Sequence, residues 1–302
     1  MVGGTIDFQQ GIGESAAFYR AHPLLNFTYF IFVIGITMFA MHPAFLAASF
    51  AVAWMYSVLL RGKKAVRFNC FVLLPAVILM TLFNTLNVHN GVTVLFYLNG
   101  NRITLEAIVF GLASAVMVTS VIIWFTCFMT IVTADKFIYV LGRIAPVLAL
   151  TLSMILRYIP LLKNRFREVA AGQRCMGRGI AGTPWIRRIR QFGKELSILI
   201  AWSLEASIES ADSMEARGYG LHGRTSFHLF RFAGRERWIL AAMLVLGGIS
   251  AVACAMGELS IYYYPAIVLP RFSAVQTISM VTYVCLMLFP VILDIRGMRR
   301  WN

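Results

Sequence analysis

Apolar residues are gathered into long runs separated by short polar stretches. The runs are Leu24–Met41, Ala44–Leu60, Phe68–Leu86, Leu105–Thr133, Trp238–Met256 and Phe272–Leu293. A bilayer core about 30 Å thick needs roughly 20 helical residues to cross it, and these six runs meet that need. The second is the shortest and reads as either a full span or a short, tilted helix. Between the third and fourth lies a polar stretch, Asn87–Arg102, and residues 163–237 are rich in charge. The pattern predicts an all-α polytopic membrane protein. Three regions follow: N-terminal spans over 1–143, a cytoplasmic region over 144–237, and C-terminal spans with a basic tail over 238–302.

The cytoplasmic region has its own period. From Pro146 onward, Leu152, Ile155, Ile159, Leu162, Phe166, Val169 and Ala170 recur at helical spacing. Pro160 predicts a kink, and Gly177 and Gly179 predict a stop around Arg178. A second helix is predicted from Trp185, with a narrow stripe at Phe192, Leu196, Leu199, Ile200, Ser203, Ser207 and Ser210. An acidic line follows at Glu205, Glu209 and Asp212, and a stop at Gly218 and Gly220. At 1.5 Å per residue each helix is about 45–50 Å long.

Composition agrees with the membrane reading. Of 302 residues, 59% are hydrophobic and 13% charged, and the formal net charge is +14. Mean hydropathy is +0.75. Six crossings with both termini cytoplasmic place 25 of the 27 Lys and Arg inside, leaving only Arg102 and Arg271 out; the positive-inside rule favours that orientation. A chain this apolar excludes a water-soluble enzyme and makes nucleic acid an unsuitable partner. The first 22 residues lack the features of a cleaved signal peptide. The five cysteines form no CxxC pair and read as packing residues. None of the five histidines belongs to HExxH, and no GxSxG or GxxxxGK[ST] occurs. His22 and His42 precede prolines and read as turn residues. Spans free of mid-membrane carboxylates argue against a proton- or sodium-driven transporter. The expectation is a non-catalytic chain with no cofactor or metal of its own.

Both long helices finish alike, in Gly177–Arg178–Gly179 and Ala216–Arg217–Gly218. Small neighbours let a helix tip enter a groove, and Arg offers carboxylates a planar five-donor fork. The bland alternative is a basic residue and a glycine serving as an ordinary helix stop.

These paired tips, with RAHPLLNF at Arg20–Phe27 ahead of the first run and the order of spans and amphipathic helices, resemble the transmembrane coupling (T) component of energy-coupling factor transporters. These are ABC importers of vitamins and transition metals. Gly177 stands where alanine is usual, and Leu25–Asn26 replaces an expected Thr-Lys. The resemblance implies two ABC ATPase subunits, identical or different, that bind ATP and receive Gly177, Arg178, Gly179, Ala216, Arg217 and Gly218 in their grooves. It also implies a substrate-binding membrane S component, which ATP-driven movement of the two helices would topple. The chain would be a multi-pass protein of the cell membrane. A conventional ABC permease, faintly echoed in Glu168–Gly172, and a structural role on anionic lipid, suited by Trp185–Arg190, remain alternatives.

Overall fold

The computed structural model describes residues 18–88, 91–98, 101–177, 184–221, 232, 234–264 and 274–298. They divide into two compact units, one formed by residues 1–137 with 230–302, the other by 138–229.

The first unit is a helical bundle. Its helices are α1 (Pro23–Phe39), α2 (Pro43–Arg61), α3 (Lys63–Asn87), α4 (Leu105–Ile131), α8 (Gly234–Ala255) and α9 (Ala274–Met298). Two His-Pro pairs begin α1 and α2. Each imidazole Nδ1 accepts from the backbone two residues on, Leu24 at 3.3 Å and Ala44 at 3.2 Å. Each proline occupies the first helical position, where a missing N–H is harmless. The two histidines are therefore helix caps. Gly62, at φ +56°, turns the chain from α2 into α3, and α3 contains one π-helical turn at Asn69–Leu73.

The polar stretch between α3 and α4 contains a small hairpin. Strands β1 (Val94–Leu98) and β2 (Asn101–Thr104) pair antiparallel. Thr104 then caps α4 by accepting from Ala107 N at 3.3 Å.

Within the bundle, α1 packs on α4 and α8, α2 on α4 and α9, α3 on α4, and α8 on α9. Trp124, Tyr29, Tyr56, Tyr283 and Phe30 are fully buried there. Backbone and side-chain polar groups inside a membrane protein need internal partners, and this core supplies them. Thr37 Oγ1 lies 2.6 Å from Tyr283 OH and 3.2 Å from Ser49 Oγ, and Trp124 Nε1 donates to Ser49 Oγ at 3.1 Å. Facing outward are large apolar side chains such as Ile31, Phe71, Ile78 and Phe83. That is the reverse of a water-soluble surface, and it identifies an all-α multi-pass membrane protein.

Six helices are long and apolar enough to cross a bilayer, and their membership differs from the six runs of the sequence reading. They are α2, α3, α4, α8, α9 and Pro146–Cys175. Helix α1 has 17 residues, about 25 Å of rise. Pro146–Cys175 qualifies because its first half is apolar, although its second half carries the charge of the long amphipathic helix.

Candidate functional site

The second unit is built from α6 (Pro146–Cys175) and α7 (Trp185–Ala216), reached through α5 (Ala134–Ile144). Helix α6 starts with Pro146 at its first position and continues through Pro160 without interruption. Leu152, Leu162, Phe166 and Val169 are half-buried and Ala170 is buried, whereas Ile155 and Ile159 are 49% and 55% exposed. The predicted apolar stripe therefore divides: one part packs within the unit, the other is left open.

Four contacts fix how α6 and α7 meet. Tyr158 OH lies 2.9 Å from Ser210 Oγ. The Arg165 guanidinium stands 4.8 Å from the Trp202 ring centroid. The Phe166 and Phe192 rings meet edge to face at 5.8 Å, and Gln191 Nε2 donates to Gln173 Oε1 at 3.2 Å. Numbers rise along α6 as they fall along α7, so the helices are antiparallel. Ser203, Ser207 and Ser210 each donate to the carbonyl four residues back. Because Ser210 spends its proton on Ala206, Tyr158 is the donor in their contact. The small-residue stripe thus serves the α6–α7 seam at Ser210. Glu205, Glu209 and Asp212 are exposed.

Antiparallel pairing puts the two helix ends at opposite ends of the pair, about 40 Å apart at 1.5 Å per residue. At the α7 end, Gly218 has φ +77°. Its N–H reaches Glu215 O at 2.9 Å, and the Tyr219 N–H reaches Met214 O at 3.0 Å. This pair of bonds is a Schellman cap. Arg217 is the last residue before the left-handed glycine, and it is exposed. At the α6 end, Gly177 is the left-handed residue, at φ +73°, and its N–H reaches Arg174 O at 3.0 Å.

The helix therefore stops at Cys175, and Gly177, one of the two glycines that predict the stop, turns the chain. Arg217 precedes its left-handed glycine, whereas Arg178 follows one. Gly177, Ala216, Arg217 and Gly218 are placed by the structure; Arg178 and Gly179 lie outside the described residues.

The sequence reading passed over the polar layer in the seam. Gln173 and Glu195 are buried, and Gln191 reaches Glu195 Oε1 at 3.5 Å while also donating to Gln173. The spacing of Gln191 and Glu195, four apart on one face, was the available signal. Among the described residues, no group of three or more His, Cys, Asp or Glu side chains is placed to hold a metal ion.

Comparison with known proteins follows the same lines. The family model described as CbiQ, cobalt transport protein, matches residues 21–229. The energy-coupling factor transporter transmembrane protein EcfT of Listeria innocua is 34% identical over 103 residues, which are 34% of this chain and 39% of that protein. The protein of the same name from Lactobacillus helveticus is 30% identical over 103 residues, 34% of this chain and 37% of its own length. That from Bacillus subtilis is 29% identical over 103 residues, 34% of this chain and 39% of its own. The matched segment thus spans less than two fifths of the length of these curated relatives.

Proposed function

The chain belongs to the CbiQ family of cobalt transport proteins, and from that premise we propose that it is the transmembrane coupling subunit of an energy-coupling factor importer. In this reading the chain links two cytosolic ABC ATPases to a substrate-binding S component in the membrane. The cargo is a vitamin or a transition-metal ion bound by that S component. ATP is bound and hydrolysed by the partner subunits, and this chain transmits the movement without catalysing a step. Both termini are cytoplasmic, an orientation supported by the distribution of Lys and Arg. Residues 144–237 form the coupling region.

One observation carries the reading. Two long amphipathic helices pair antiparallel, so that their C-terminal ends, turned at the left-handed Gly177 and Gly218, lie at opposite ends of the pair. A scaffold that takes force from two subunits needs two separated points of attachment, and the separation of the two helix ends supports that role. Arg217, at the margin of its Schellman cap, is held where a helix C-terminus favours positive charge. The apolar side chains left open on both helices, among them Ile155, Ile159, Ile200, Leu204 and Ile208, form a surface fit for lipid or another membrane protein.

The test is co-purification of the tagged chain with its ATPases in detergent, comparing wild type, Arg178→Glu, Arg217→Glu and the double variant. Removing one partner of a charge-assisted contact in a groove weakens retention by about tenfold or more. Each single variant is expected to lose ATPase and the double variant to retain none. Equal retention by all four would reduce the two Arg to helix stops and sink the proposal.

A further inference from the structure

The division between the two units falls inside α5, between Phe137 and Ile138. Immediately before that point stands Lys136, in the first turn of α5 and 4% exposed. A buried lysine in a helix's first turn is doubly unfavourable: its ammonium loses water, and the N-terminal end of a helix repels cations. Burial pushes this ammonium down to about 8.

The surroundings account for its presence. Lys136 Nζ donates to Tyr19 O and, at 3.1 Å, to Ile131 O. In the orientation that satisfies both its polar atoms, the Asn26 carboxamide accepts from Lys136 Nζ at 2.8 Å and donates to Phe18 O at 3.1 Å. The ammonium also stands 4.4 Å from the Tyr19 ring centroid. Three acceptors match the three donors of an ammonium. Ile131 is the last residue of α4, so the charge sits at that helix's negative end. One side chain rooted in α5 thus holds α1, the end of α4 and the segment that leads into α1. Residue 18 is in turn held by Asp294 of α9, whose Oδ1 accepts from Phe18 N at 2.7 Å.

We propose that Lys136 is a positioning residue for coupling: it clamps the root of α5 to the bundle, so that movement of α6 and α7 is delivered to the membrane helices. The proposal rests on the coupling reading above. It assigns Lys136 no contact with ATP, cargo or partner. A connector with a loose root takes up displacement by local shifting, whereas one pinned at three points passes it on.

The test uses the full chain in complex with its ATPases, in detergent, with fluorophores on Lys64 and Glu209. The distance between them is followed on adding ATP and vanadate. Wild type is expected to show a nucleotide-dependent change. In Lys136→Met that change falls by about half or more, while retained ATPase and its hydrolysis rate stay at wild-type values.

Rescue comes from the exchange Asn26→Lys with Lys136→Asn. It spans the same gap with the same two side-chain lengths, offers the ammonium the Tyr19 and Ile131 carbonyls again with the carboxamide now on position 136, and is expected to restore the movement. A Lys136→Met protein that moves like wild type overturns the clamp, as does a folded exchange variant that fails to move. If Lys136→Met does not fold, the exchange variant alone decides. Wild type that binds ATPase yet shows no nucleotide-dependent change overturns the coupling reading instead, and the clamp with it.

Discussion

Lys136 and Asp294 hold the same residue from opposite sides. Phe18 gives its N–H to Asp294 Oδ1 at 2.7 Å, and its carbonyl takes the Asn26 amide, which in turn accepts from Lys136. A buried ammonium and a buried carboxylate are thereby related through the backbone of one residue and one carboxamide, without direct contact. The arrangement ties α1, α4, α5 and α9 together at one end of the bundle, and Tyr56 OH adds α2 by reaching Asp294 Oδ2 at 3.3 Å.

Removing the carboxylate is expected to loosen that end. Asp294→Ala leaves the Phe18 N–H and the Tyr56 hydroxyl without this acceptor, each a loss of about 1–3 kcal/mol when buried. Asp294→Asn retains one acceptor oxygen and is expected to fall between. Thermal unfolding in detergent ranks the three proteins, and a midpoint for Asp294→Ala equal to wild type would contradict the account.

Lys136 predicts a pH dependence of defined sign. Its folded value, about 8, lies below the roughly 10.4 of an unfolded lysine. Between those values the unfolded chain binds more protons than the folded one, so stability rises with pH across that window. Lys136→Met is expected to flatten the rise. Unfolding midpoints at a series of alkaline pH values compare the two slopes.

The two capping glycines are expected to respond unequally to alanine. Both have positive φ, where a Cβ is disfavoured by about 1–2 kcal/mol. A Cβ on Gly218 would also lie 3.0 Å from Leu221 Cδ1, while one on Gly177 would meet nothing within 4 Å among the described residues. Amide exchange is therefore expected to rise more at the α7 tip in Gly218→Ala than at the α6 tip in Gly177→Ala. The reverse order would remove the Leu221 contact as the reason.

Glu195 marks a place where the seam can be strengthened. It is 2% exposed, and its Oε2 has no hydrogen-bond partner among the described residues. Replacing a buried, incompletely bonded carboxylate with an apolar side chain of similar size removes a penalty of about 1–3 kcal/mol. Glu195→Leu is expected to slow proteolysis of the α6–α7 pair. Faster cleavage would show that the carboxylate stabilises the seam.

In the bundle, Gly247 of α8 lies against the Phe32 ring of α1. A Cβ there would lie 2.6 Å from Phe32 Cγ. Gly247→Val is expected to lower the unfolding midpoint by an amount equivalent to about 1–3 kcal/mol. Adding Phe32→Ala to Gly247→Val is expected to recover part of it.

Much of this architecture was legible from the chain because apolar runs of bilayer length have few alternatives to a helix. The two amphipathic helices were legible for a related reason: period 3.6 persists through their charged halves. What escaped depends on contacts between distant positions. Lys136, in a short polar connector, has the sequence context of a solvated residue; two of its three acceptors come from Tyr19 and Asn26, more than a hundred positions away. Asn26 stands where the resemblance expects lysine, yet an ammonium lies beside it, supplied by another helix. The β1–β2 hairpin lies within a stretch whose flanks are polar but whose Val94–Leu98 strand is apolar and aromatic, a run too short to stand out beside spans of bilayer length. The cap register escaped as well. Gly-Arg-Gly and Ala-Arg-Gly look equivalent in sequence, and nothing in it announces that Gly177, ahead of the Arg, already has a positive φ.

Antiparallel pairing of α6 and α7 also determines what kind of motion the pair can perform. Each tip is the far end of an arm about 20 Å long, measured from the middle of the seam. A rotation of the pair about that middle carries the tips in opposite directions, and a turn of about 10° moves each by about 3.5 Å at that arm length. Two pulls in the same direction exert no torque and shift the pair as a rigid beam. Opposed pulls turn it like a balance. The relative direction of the forces at its ends thus selects between translation and rotation.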